Sequence, residues 1–173
     1  MEETRRFLKE EFRWTMERSK LLGPFLRDPQ KLKDLVQIVI NGEEYPLQEY
    51  ASYALTHLFK QGYDLSEYQK DFIKIILSSE NQSVLRNICL ILSRSELSSF
   101  KESELMDRCI AFISDPKNKV ALHVYSIYIL IEFVQKYPEL KGEFLDLIEL
   151  NERGKTPAYF IAKRNFLSEL KNI

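Results

Sequence analysis

The sequence predicts an all-α fold: a right-handed α–α superhelix of about four helical hairpins behind an N-terminal helix. Three observations lead to this prediction. Glycine (5) and proline (6) are scarce in a chain of 173 residues, at roughly half their usual combined share. Four apolar blocks recur with a period near 36 residues. Each block is followed by a turn and a second amphipathic segment, as in arrays of two-helix repeats.

The apolar blocks mark the first helix of each hairpin. They start at residues 35, 72, 109 and 144, and in each block the first, second, fourth and fifth positions are apolar. This spacing is that of one buried helical face. We predict first helices near residues 29–40, 66–78, 103–114 and 138–150. Asp28 before Pro29, and Ser66 with Glu67, have the residue types that start helices.

The second helices align on a small residue, which lets a neighbouring helix approach closely. These residues are Ala54, Cys89, Ser126 and Ala162. We predict second helices near 47–61, 82–95, 118–136 and 157–171, the last starting after Thr156, and an N-terminal helix over about 3–21. Each hairpin has an apolar face that it cannot bury alone, so the hairpins are expected to stack. Residues 1–173 are therefore predicted to form one domain, with repeats at about 29–65, 66–102, 103–137 and 138–173.

The chain also resembles a known group of proteins. Its period, its paired helices and the Asp115-Pro116 turn are similar to HEAT or armadillo-type repeats. Residues 105–173 are most similar to short single-domain bacterial HEAT-like proteins. The matching residues are Lys119-Val120-Ala121, Tyr125, Tyr137-Pro138-Glu139-Leu140, Ala158-Tyr159 and Arg164. Some members of that group carry an adenylosuccinate lyase label, but nothing in this chain matches the serine-bearing loop of that lyase. The resemblance therefore implies the fold and not that reaction.

The charge balance, the apolar stretches and the cysteines restrict the kind of partner and the cellular location. The chain has 25 basic and 26 acidic residues, a net charge of −1, which disfavours nucleic acid or an anionic membrane as a partner. The longest near-apolar stretch, Val124 to Val134, contains Glu132 and is much shorter than the ~20 residues that span a bilayer. Cys89 and Cys109 stand among apolar neighbours without metal-ligand spacing, so we expect buried, reduced thiols. These features predict a soluble, cytoplasmic protein.

No pattern of residues indicates a reaction. His57 and His123 both lie on the packed side of predicted second helices, without a further ligand at metal-binding spacing. Grouping His123 with Tyr125 and Tyr128 would be the nearest approach to a catalytic site, but a core position explains these residues better. Serines do not occur in G-x-S-x-G, and the glycines are isolated, several at expected helix ends. We expect no catalytic residue, no cofactor and no metal.

The most informative surface is the side of each second helix opposite the small residue, which we expect to line the concave face. It is formed by Ser52, Thr56, Phe59, Asn87, Ile91, Arg94, Val124, Tyr128, Ile131, Phe160, Arg164 and Leu167. Most of these side chains are large and apolar, so units three and four should be covered. One cover is the N-terminal helix, through Phe7, Leu8, Phe12, Trp14 and Leu22. The other is a protein partner or a second copy of the chain, bound by Arg94, Val124, Tyr128, Ile131, Phe160 and Arg164.

Two functions are consistent with these features. The first is a non-enzymatic protein-interaction scaffold or adaptor that uses the concave face of a short helical solenoid. The alternative is a HEAT-like DNA-binding protein, or one of the DNA alkylation-repair glycosylase type, by analogy of architecture. The alternative needs a continuous basic groove. Residues 34–150 carry 11 basic and 18 acidic residues, which favours the scaffold.

Overall fold

The structure, a computed structural model, describes residues 1–12, 20, 22–23 and 28–169. Within these residues the regular elements are all helical, which confirms the predicted all-α helical solenoid. The α-helices are α1 (Glu2–Phe7), α2 (Pro29–Ile40), α3 (Leu47–Lys60), α4 (Gln69–Ser78), α5 (Gln82–Leu92), α6 (Glu102–Ser114), α7 (Val120–Lys136), α8 (Lys141–Leu150) and α9 (Pro157–Glu169). A π-helical turn (Leu8–Phe12) continues α1, and 3₁₀ turns (Ser66–Tyr68 and Pro138–Leu140) lead into α4 and α8.

The helices form two layers of a solenoid. The first helices α2, α4, α6 and α8 contact one another in chain order, and the second helices α3, α5, α7 and α9 do the same. Helical pairs α2–α3, α4–α5, α6–α7 and α8–α9 are called units one to four below. The predicted helices lie within a few residues of these bounds, and the last two residues of the one expected over 157–171 fall outside the described residues.

Local capping explains where several helices begin. Asp28 Oδ1 accepts a hydrogen bond from the Gln30 amide at 2.9 Å, as predicted for the start of α2. The prediction that Ser66 caps the next first helix was wrong. Asp64 Oδ1 accepts from the Ser66 amide at 2.9 Å instead, because the 3₁₀ turn places the capping carboxylate two residues earlier.

The core lies between the two layers and along the contacts between units. The four small residues on which the second helices align, Ala54, Cys89, Ser126 and Ala162, are all fully buried. The apolar blocks of the first helices are buried throughout units one and two, whereas Ile110, Leu145 and Leu147 in units three and four are half-buried. Cys89 and Cys109 are buried free thiols, and burial raises the pKa of Cys109 to about 12.

The N-terminal segment packs on unit one. The ring of Phe12 lies 6.4 Å from Tyr50 and 6.2 Å from Tyr53, and Arg5 pairs with Glu43 at 2.6 Å. Phe7, Leu8, Phe12 and Leu22 are buried, but residues 2–12 cover unit one and not units three and four as one alternative expected. The rest of the expected helix over 3–21, including Trp14, lies largely outside the described residues.

Candidate functional site

The surface expected to line the concave face is buried at two of its three positions in units one and two, whereas Phe59 is half-buried and Arg94 is exposed. Ser52 is 0% and Asn87 4% exposed, and Thr56 and Ile91 are also buried. The side-chain amide of Asn87 donates to the hydroxyl of Ser52 at 2.9 Å, so these positions lie in the contact between α3 and α5. The prediction of an open concave face was therefore wrong in these units. A second helix of a solenoid has neighbours on several sides, and the side opposite its small residue here faces the next unit.

In units three and four the positions that correspond to Ser52 and Thr56 are more accessible, whereas the position that corresponds to Arg94 is not. Val124 and Tyr128 are half-buried and Ile131 is 8% exposed. Phe160 is 46% exposed and Arg164 is also exposed. Among the described helices, α9 packs on α7 and buries a narrow stripe of Tyr159, Ala162 and Phe166. Phe160 and Arg164 lie outside that stripe, which explains their exposure.

We call the accessible part of these positions, together with the adjacent Ile161, the α7–α9 surface; it comprises Val124, Tyr128, Phe160, Ile161 and Arg164. A hydrogen bond joins its two helices, because Asn165 Nδ2 donates to Tyr128 Oη at 2.9 Å. Ile161 is 47% exposed. The surface thus combines aliphatic and aromatic side chains with one guanidinium that forms no ion pair with the described residues.

Arg94 lies in a separate cleft of about 450 Å³, which Phe59 and Asp64 also line. Gln69 shapes this cleft, since its side chain donates to the Glu96 carbonyl and accepts from the Ser98 amide, both at 2.6 Å. The other residues predicted to bind a partner do not line it. The structure therefore does not bring Arg94 together with the α7–α9 surface.

Three carboxylates lie at or near the C-terminal ends of successive second helices, and the sequence analysis did not identify them as a group. Glu96, Glu132 and Glu169 recur at the repeat period, which was the available signal. Burial raises the pKa of Glu132, and the negative charges of Glu96 and Glu169 raise it further. Ionised Glu132 is therefore repelled by the carboxylates on either side of it.

His123 is a buried, hydrogen-bonded histidine at the start of α7. Its Nε2 donates to the carbonyl oxygen of Asp115 at 3.0 Å, since a carbonyl can only accept. Its Nδ1 therefore accepts from Lys155 Nζ, also at 3.0 Å. Burial lowers the pKa of His123, and the Lys155 ammonium lowers it as well. The ring is accordingly neutral near pH 7.

The neighbour of His123 differs from the expected one. Tyr159 packs edge-on against it with ring centres 6.3 Å apart, whereas the grouping considered from sequence used Tyr125 and Tyr128. Tyr159 is fully buried, donates to the Ile148 carbonyl at 2.9 Å, and has its pKa raised to about 12 by burial. The other histidine, His57, stacks edge-on with Tyr53 at 4.6 Å. Both histidines thus pack against tyrosines of second helices.

Two further findings concern the described residues only. They hold no cluster of three or more histidine, cysteine or acidic side chains arranged for a metal ion. None of their helices combines the length and the apolar character that crossing a membrane requires.

Comparison with known proteins places these units in a family. The family described as the HEAT repeat domain matches residues 10–170. The chain belongs to the HEAT repeat domain family. The match spans all four helical pairs, so the family assignment and the two-layer stacking of this HEAT repeat protein agree. Neither a curated protein nor a solved structure matches the chain significantly.

Proposed function

We propose that this HEAT repeat protein is a non-enzymatic interaction scaffold that binds a partner protein through its α7–α9 surface. The exposure of Phe160 is the observation that carries the proposal. Phe160 is 46% exposed, whereas Ser52 and Asn87, which occupy the same position in units one and two, are at most 4% exposed. A large aromatic side chain thus stands at a position that is buried in units one and two and half-buried in unit three.

The composition of the surface supports a protein partner. Phe160 and Ile161 are about half covered, so completing their burial would contribute roughly 1 kcal/mol each. Aromatic side chains and arginine are enriched among the residues that dominate binding energy in protein interfaces. Arg164 is exposed beside them without an ion pair to a described residue. A partner with an acidic side chain next to an apolar anchor would complement the surface.

The other predicted partner-binding residues take lesser roles in this proposal. Val124 and Tyr128 are half-buried and would widen the apolar contact, whereas Ile131, at 8% exposure, would add little to it. Arg94 lies in its own cleft. It would contact the partner only if the partner extended beyond α7. The scaffold role requires no chemical step, and we assign none to the chain. We place the protein in the cytoplasm on the composition of the sequence alone.

Site-specific photo-crosslinking in the native cell tests the proposal. A photoreactive phenylalanine analogue replaces Phe160 in one variant and Tyr63, an exposed aromatic residue on the loop after α3, in the control. We expect one protein to be crosslinked from position 160 and not from position 63. The same crosslink should disappear in a chain that also carries Arg164→Glu.

Two outcomes would overturn the proposal. The first is crosslinking at position 160 that is no more selective than at position 63. The second is a purified protein that forms a dimer in light scattering and becomes monomeric with Phe160→Glu, which would make a second copy the occupant. Because Phe160 is already half exposed, the Phe160→Glu chain should remain folded, and circular dichroism verifies this.

A further inference from the structure

A second concave feature lies on the edge of units three and four, away from the α7–α9 surface. It is a cleft of about 390 Å³ between residues 115–119, which join α6 to α7, and residues 151–156, which join α8 to α9. We call it the turn cleft. Its volume lies within the range of known ligand sites. Alternate residues of the first turn, Pro116 and Asn118, line it, and the second turn contributes Arg153 and Lys155.

The turn cleft is positively charged. Arg153 and Lys155 both line it, and its lining contains no aspartate or glutamate. Neither cation forms an ion pair within 4.0 Å among the described residues. The wall also includes Val120, the first residue of the long helix α7, whose N-terminus adds partial positive charge.

The nearest carboxylates have other partners. Asp115 Oδ1 accepts from the backbone amide of Lys117 at 2.9 Å. Glu152 binds Lys163 Nζ at 2.6 Å, and Lys163 is also paired with Glu149 at 3.0 Å. Glu152 is therefore compensated by Lys163. The negative charge of Asp115 does act on Lys155 and raises its pKa, although burial has the larger, opposite effect. Arg153 has no ion-pair partner among the described residues.

Lys155 is held in place before any ligand arrives. Its Nζ donates to His123 Nδ1 at 3.0 Å and lies 5.6 Å from the centre of the Tyr159 ring. Burial lowers the pKa of Lys155, so the ammonium lacks part of the stabilisation that water would give it. An anion in the cleft would supply that stabilisation, and a fixed side chain loses little conformational entropy on binding.

We propose that the turn cleft binds a phosphate group, with Arg153 and Lys155 as its charged ligands. Guanidinium and ammonium groups form strong charge-assisted hydrogen bonds to phosphate oxygens. Leu150, which is 84% exposed and lines the cleft, offers an apolar contact for the organic part of a phosphate ester. The source of the group is either free phosphate or a small phosphate monoester.

A small ligand fits the arrangement better than a nucleic acid. Lys117 and Lys119 lie on the same turn, but the alternation along that turn leaves them out of the cleft lining. The two lining cations meet at one cleft instead of following an extended track, as binding to a nucleic-acid backbone requires. Lys117 therefore also provides a matched control, as an exposed cation of the same edge.

Titration of the isotope-labelled protein, followed by NMR at constant ionic strength, tests the site with inorganic phosphate and with phenyl phosphate. We expect saturable shifts of the Asn118, Gly154 and Lys155 amides with at least one probe. Arg153→Ala should weaken the affinity about tenfold, the equivalent of one charge-assisted hydrogen bond, and Lys117→Ala should leave it unchanged. Equal affinity for the two probes would identify free phosphate, and tighter phenyl phosphate would identify an ester.

Three results would overturn the proposal. One is a linear response that sodium chloride reproduces. Another is an equal loss of affinity in Arg153→Ala and Lys117→Ala. The third is binding of a short DNA duplex that Lys117→Ala and Lys119→Ala weaken as much as Arg153→Ala does, since that would indicate a nucleic-acid track. Arg153 is exposed, so its replacement should leave the fold intact, which the NMR spectrum itself reveals.

Discussion

The side-chain amide of Asn87 donates to the hydroxyl of Ser52 at 2.9 Å, and the two residues are 35 positions apart in the chain. Comparable bonds join later units: Asn165 to Tyr128 across 37 positions, and Lys155 to His123 across 32. Each separation is close to one repeat. Polar side chains therefore connect unit one to unit two and unit three to unit four, in addition to the apolar packing between them.

Replacing Asn87 with alanine should destabilise the protein by about 1–3 kcal/mol, because it removes a buried hydrogen-bond partner and leaves a small cavity. Urea denaturation gives the change in the free energy of unfolding. Asn165→Ala is the matched control, since its amide also bonds a neighbouring unit but is exposed. The control should change stability by less than about 0.5 kcal/mol. Equal effects of the two substitutions would contradict the importance of the buried contact.

Arg108 connects unit three to the end of α4 in unit two. Its guanidinium donates to the carbonyls of Ile76 at 3.2 Å and Ser79 at 3.0 Å, and it lies over the ring of Phe112. We expect Arg108→Ala to lower the free energy of unfolding by about 1–2 kcal/mol, since helix-end carbonyls lose their donors. Lys74→Ala removes an exposed ion pair and a distant contact with the Phe100 ring at 5.9 Å, and should cost under about 0.5 kcal/mol. Thermal denaturation of both variants distinguishes them.

Ala162 is the small residue at which α9 contacts α7, and it is fully buried. Ala162→Leu should cost about 1–3 kcal/mol, because the larger side chain would force the helices apart. Ala158→Leu, four residues earlier on the same helix, is the control because Ala158 is exposed. Calorimetric melting temperatures provide the comparison. A tolerated Ala162→Leu would mean that a small side chain is not required for this contact.

The stability of the protein should decrease when the pH falls below the usual pKa of histidine, about 6.5. Burial lowers the pKa of His123 in the folded chain, so protonation favours the unfolded chain. The contribution is complete above the unfolded pKa and is lost as the pH falls through the folded one. Urea midpoints measured from about pH 8 to about pH 5 should fall more steeply for the wild type than for His123→Gln. Parallel pH profiles of the two chains would show that His123 does not cause the loss of stability at low pH.

Glu132→Gln should stabilise the protein at neutral pH, because it removes a half-buried charge that faces Glu96 and Glu169. The pKa of Glu132 is raised in the folded chain, so its ionisation costs stability as the pH rises above the unfolded value, about 4.3. The gain should be about 0.5 kcal/mol or less, since water screens the group, and should vanish in acid. Glu104→Gln, an exposed carboxylate at the start of α6, is the control. A destabilised Glu132→Gln chain would indicate that this carboxylate has a stabilising partner.

The helices were predictable because their signals are local. The apolar spacing of residues 35–39 and 72–76 and the cap at Asp28 depend only on neighbours in the chain. The small residues Ala54, Cys89, Ser126 and Ala162 were also found from sequence, because the second helix of every unit requires a small side chain at the same position. The start of α4 was misassigned because Ser66 and Asp64 are both residues that cap helices, and only the backbone path selects between them.

The candidate surfaces were less predictable. Sequence reasoning selected Phe160 and Arg164 as accessible, but it assigned the same exposure to Ser52 and Asn87, which are buried. Phe160 shares one position in the repeat with Ser52 and Asn87, so periodicity cannot distinguish them. The pairing of His123 with Lys155 also had no sequence signal, because it joins helix α7 of unit three to the turn before α9 in unit four.

The sequence by itself determined the number, the order and the approximate bounds of the described repeat helices, and the small residues at their contacts, because helix formation and capping are decided over a few residues. Only the tertiary structure decided which side of each second helix is accessible. That side is covered where another unit packs against it, as at Ser52, and open at Phe160, where no described helix does so.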